Sequence, residues 1–99
     1  MTVMYESFFT VLKHFPAHRP LIPHLFHSNP VFRETCMDYH KCSMALHYWS
    51  NVSSQEASFR TQEYSVLLQE LSQELLQCIS LVGGDIAASN TQNKGENKG

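Results

Sequence analysis

The sequence predicts an all-α protein: a short N-terminal helix, a proline-rich connector and a long antiparallel helical hairpin, closed as a three-helix fold or as a dimeric bundle. Three observations carry this. In a chain of 99 residues all four glycines lie between Gly83 and Gly99, so the first 82 residues lack the residue that tight turns and phosphate-binding loops need. All four prolines lie between Pro16 and Pro30, confining the helix breakers to one segment. Ala57, Thr61, Tyr64, Leu68, Leu71, Leu75, Cys78 and Val82 step by four and three without a break, the period of a helix packed on a helix.

From Val3 to Phe15, the residues Met4, Phe8, Val11, Leu12 and Phe15 form an amphipathic stripe that Pro16 ends. The stretch to Pro30 reads as an ordered linker, extended or with one short turn, because Leu21, Ile22, Leu25 and Phe26 need burial. Asn29 before Pro30 opens a helix that runs to about Asn51: the amide caps it, and the missing proline N–H costs nothing there. Its seam is Phe32, Thr35, Tyr39, Cys42, Leu46 and Trp49. Ser53 with Glu56 has capping-box spacing, with Ser54 as the alternative cap, so the last helix opens here. Gly83-Gly84 is expected to end it. The domain is thus 1–82, and the polar residues 83–99 form a disordered tail.

At about 1.5 Å per residue the last helix is roughly 42 Å long and its partner roughly 32 Å, leaving about 10 Å unmatched around Leu75 to Val82. The apolar stripe widens there, and Phe15, Leu21, Ile22, Leu25 and Phe26 can cover it, as can a second copy of the chain.

Charge and hydropathy exclude several classes. The net charge of −2 is not that of a nucleic-acid domain. With 42% hydrophobic and 16% charged residues and a mean hydropathy of −0.27, neither a membrane span nor a charge-rich disordered chain is expected. Residues 1–51 hold all six histidines and carry a net +1, whereas Val52 to Val82 carry −3, so the halves attract. Only Lys13 and Arg19 are charged in the basic-aromatic run around the prolines, which reads as packed linker. Three cysteines without a secretory signal point to reduced thiols and a cytoplasmic location.

Candidate chemistry is sparse. Cys36 and His40, one helical turn apart, suit a shared zinc or copper ion; His47 lies about 10.5 Å further along the axis and cannot join them. About 9 Å of helical rise precludes a disulfide between Cys36 and Cys42. Cys42 and Cys78 lie on apolar seams and read as core. Neither a nucleophile elbow nor an oxyanion-hole loop is recognisable, so no catalytic residue, enzyme activity or cofactor is expected. In the hairpin register Arg60 meets Ala45, Tyr48 and Trp49 and is expected to stack on Tyr48 or Trp49, with Glu63 near Lys41.

The run from Asn29 to Leu76, through Pro30, Phe32, Cys36, Asp38, Tyr39, Leu46, Trp49, Glu63, Tyr64, Leu67 and Leu68, resembles small uncharacterised bacterial helical-hairpin proteins. The resemblance implies a bacterial cytoplasmic protein and carries no activity. The leading expectation is a non-enzymatic protein that associates with itself or with a partner helix through Phe32, Tyr39, Leu46, Trp49, Phe59, Arg60, Tyr64 and Leu71. A metal-binding or metal-responsive module built on Cys36 and His40 is the alternative.

Overall fold

The computed structural model describes the backbone of residues 2–98 and the side chains of residues 4–82, and the described residues are helical with short connections. Helix α1 spans Thr2–His14, a single 3₁₀ turn Pro16–His18, α2 Ile22–Ser28, α3 Pro30–Ser50 and α4 Gln55–Lys98.

The proline segment is helical rather than extended. Pro16, Pro23 and Pro30 each stand in the first two positions of a helical element, where the missing N–H has no acceptor to lose. The breakers therefore act as starters. Asn29 serves both neighbours: its N–H donates to the Leu25 carbonyl at 2.8 Å, closing α2, and its Oδ1 accepts from the Phe32 N–H at 3.1 Å, opening α3. At the hairpin turn the cap is Ser54, not Ser53, because Ser54 Oγ accepts the Ala57 N–H at 3.0 Å.

Helices α3 and α4 run in opposite directions. Cys42 lies by Tyr64, Tyr39 near Ser72 and Cys36 near Cys78, so the partner number rises as the α3 number falls. The core is Phe32, Cys36, Tyr39 and Cys42 of α3, Leu71, Leu75 and Ile79 of α4, Ile22, Leu25 and Phe26 of α2, and Val11 of α1. Leu75 and Ile79 are therefore covered by the connector and the first helix, as the widened stripe requires. Each large side chain so buried contributes about 1.5–3 kcal/mol.

Helix α1 departs from its expected stripe. Met4 is exposed, and the fully buried line is Ser7 and Val11, with Phe8, Leu12 and Phe15 at its flanks. The polar contacts to α3 set which face turns inward. Glu6 and Thr10 both reach His40 and His14 reaches the adjacent Tyr39, while Phe8 and Phe9 lie beside Arg33, so α1 meets α3 from Arg33 to His40. A small residue at Ser7 permits close approach there.

The other departures lie along the hairpin. Leu46 and Trp49 of the α3 seam, and Thr61, Tyr64 and Leu68 of the α4 seam, are only half-buried. The backbone of α4 continues through Gly83 and Gly84, where the sequence predicts a stop. A glycine costs a helix interior only about 1 kcal/mol relative to alanine, which weakens the helix without forbidding it. The expected disordered tail, 83–99, lies outside the residues whose side chains are described.

The observed cap gives a direct test. Ser54→Ala should lower unfolding stability by about 1 kcal/mol, the usual worth of an N-cap serine, and Ser53→Ala by much less. Urea titrations of the two variants check the order.

Candidate association surface

The hairpin has two halves with different surroundings. Around Phe32–Tyr39 and Leu71–Ile79 it is clothed by α1 and α2, which supply Val11, Ile22, Leu25 and Phe26 to the shared core. Around Met44–Ser50 and Ala57–Leu67 the described residues include one buried side chain, Ala57, and Tyr64 is the hydrophobic residue there that packs against that core. Two helices bury one strip apiece, so the outward apolar residues of this half remain in water. They are Met44 and Tyr48 on α3 and Phe59, Val66 and Leu67 on α4, from 42% exposed for Leu67 to 62% for Phe59.

On α4 these residues make a groove. A cavity of about 610 Å³ is lined by Phe59, Gln62, Glu63, Tyr64, Val66 and Leu67. A second, of about 320 Å³, shares Tyr64 and Leu67 with it and continues between the helices to Ala45 and Leu71, with Asp38 and Lys41 on its α3 side. The spacing of Phe59, Val66 and Leu67, seven and eight apart, is that of one helical face.

The residues singled out from sequence divide between the two halves. Phe32 and Tyr39 are consumed by the chain's own core, which corrects their assignment to an interface, and Leu71, also buried in that core, shows only an edge to the second groove. Burial against α1, α2 and α4 claims them first. Leu46, Trp49, Arg60 and Tyr64 are half-buried along the bare half, and Phe59 projects from it. Arg60 pairs along its own helix, with Glu63 at 3.1 Å and Glu56 at 3.6 Å, in place of the expected stacking. Tyr48 and Trp49 meet each other edge to face, with centroids 5.1 Å apart. A carboxylate one turn away on either side offers Arg60 a charged partner at little entropic cost, and it takes Glu63 away from Lys41.

Cys36 and His40, although one turn apart, serve different neighbours. Cys36 is fully buried, and burial, with the neighbouring Cys78 second, pushes its thiol up to about 12. At neutral pH it is protonated, the wrong state for a nucleophile. Burial likewise raises Cys42, whose Sγ donates to the Tyr64 carbonyl at 3.3 Å. His40 turns to α1, with Nδ1 2.8 Å from Thr10 Oγ1 and Nε2 3.4 Å from a Glu6 oxygen. His14 Nδ1 lies 2.8 Å from the Tyr39 hydroxyl, whose pKa burial also raises. Among the described residues no group of three or more His, Cys, Asp or Glu is placed to share a metal ion.

No protein-family model, curated protein or solved structure matches the chain. Among the described residues no helix is long and apolar enough to cross a membrane.

Sequence reading missed Met44, Tyr48, Val66 and Leu67 as surface, because their exposure follows from where α1 stops covering α3. It missed the contacts of α1 with His40 and Tyr39 because nothing local marks polar pairs 25 and 30 residues apart.

The thiols carry a pH signature. Cys36 has an ordinary value of 9.0 and a folded value of about 12, so above pH 9 the unfolded chain releases a proton that the folded chain keeps. The stability contributed is complete below pH 9 and is lost as pH rises toward 12, with Tyr39 and Cys42 adding in the same direction. The urea midpoint should therefore fall from pH 9 upward, and fall less steeply in Cys36→Ala.

Proposed function

We propose that the protein is a non-enzymatic helical module that acts by association, receiving a helix of a second copy or of a partner along the bare half of its hairpin. The observation that carries this is the exposed line Phe59, Val66 and Leu67 beside a groove floored by Tyr64. A helix laid into it would bury what two helices alone leave wet, the helix-in-groove mode of recognition. Tyr64 lines it, Leu46, Trp49 and Arg60 are half-buried on the same half of the hairpin, and Glu63, the ion-pair partner of Arg60, sits at its edge, where exposed charges contribute orientation more than affinity. Three free thiols suit a reducing cytoplasm, and the resemblance to bacterial hairpin proteins supports the same setting.

Sedimentation equilibrium across the micromolar range tests the self-association arm. The expected result is a mass above 11.4 kDa that falls to the monomer in Phe59→Asp and Leu67→Glu. A monomer throughout leaves only the partner arm, which a photo-crosslinking residue at position 66 reads in cells: discrete adducts lost on Leu67→Glu are expected. With neither oligomer nor such adducts the proposal fails.

A further inference from the structure

A second recess lies at the clothed end, between α1 and α2, away from the bare hairpin. Its volume is about 610 Å³, inside the range of about 300–1,000 Å³ usual for small-molecule sites. The walls are aromatic. Phe8 packs on Phe26 with ring centroids 5.0 Å apart and on Phe9 at 5.5 Å, while Tyr5 and Phe9 stand exposed at the mouth.

The polar rim is Arg33 with His27 beside it. Arg33 Nη1 donates to the Phe26 carbonyl at 2.7 Å and the His27 carbonyl at 3.2 Å, which fixes the guanidinium against the end of α2. A guanidinium has five N–H donors. Those on Nε and Nη2 meet no protein acceptor among the described residues, and no carboxylate there lies within ion-pair distance of Arg33. Glu6, on the same helix as the aromatic wall, is turned to His40. A fixed cation whose remaining donors meet no acceptor among the described residues, beside an apolar recess, is complementary to one negative group on an apolar body.

We propose that this cleft binds a small amphiphilic monocarboxylate, with its aliphatic or aromatic body against Phe8, Phe9 and Phe26 and its carboxylate on Arg33. The ligand is a free molecule rather than a bilayer lipid, because one basic residue near a membrane surface supplies only about 1 kcal/mol of attraction.

Decanoate below its micelle concentration is the probe, titrated into the full chain and followed by NMR. Saturable one-to-one binding is expected, with shifts at Tyr5, Phe9 and Phe26. Decanol, which keeps the chain and loses the charge, should bind about tenfold more weakly or worse, as should decanoate to Arg33→Met. Since Arg33 also holds the end of α2, Phe9→Asp is the second variant: it alters an exposed position, puts a like charge at the mouth and should abolish binding while the far-UV circular dichroism is unchanged. Equal affinity for decanol, no saturation at millimolar decanoate, or binding only to phosphatidylserine vesicles would each overturn the proposal.

Discussion

Helix α3 has to be covered on two sides, and the chain supplies enough material to do so along only half its length. Phe32, Cys36, Tyr39 and Cys42 turn inward to the common core, while His40, one turn from Cys36, faces α1. The coverage by α1 runs along α3 from Arg33, beside Phe8 and Phe9, to His40 and Tyr39, where Glu6, Thr10 and His14 converge. Beyond Cys42 no described residue of α3 belongs to the core. The core at the clothed end, the exposed residues at the turn end and the aromatic recess where α1 meets α2 all follow from this one placement.

The polar contacts at the crossing give it a defined register. Apolar packing tolerates small slides, whereas a hydroxyl 2.8 Å from His40 and an imidazole 2.8 Å from the Tyr39 hydroxyl do not. Ser7, fully buried between them, lets the backbones approach. The His40 ring also brings a cost: its Nε2 is buried without a hydrogen bond and has only the Glu6 carboxylate, 3.4 Å away, to compensate it. That group is the least satisfied point of the interface.

Much of this was legible in the sequence, and the limit of legibility is physical. Asn29 and the serines at 53 and 54 announce helix starts through local chemistry, and the hairpin follows from a seam kept in step from Ala57 to Val82. The cover over Leu75 and Ile79 follows from length: the longer helix outruns its partner, and the connector holds the apolar residues to meet it. Periodicity says which face of a helix is apolar but not where along that face a third element stops. For that reason Phe32, Tyr39 and Leu71 could not be told from Leu46, Trp49 and Tyr64, although the first set is interior and the second borders solvent. Arg60 was misread for a related cause, since carboxylates at both Glu56 and Glu63 outcompete a ring on the neighbouring helix.

The division of the hairpin into a clothed and a bare half is the claim on which the rest stands. Native-state hydrogen exchange, resolved by residue, tests it most directly. Amides around Phe32–Cys42 and Leu71–Ile79 should exchange only through global unfolding, and those around Ala45–Ser50 and Ala57–Tyr64 through a partial opening of lower free energy. Equal protection along the whole of α3 would contradict the account.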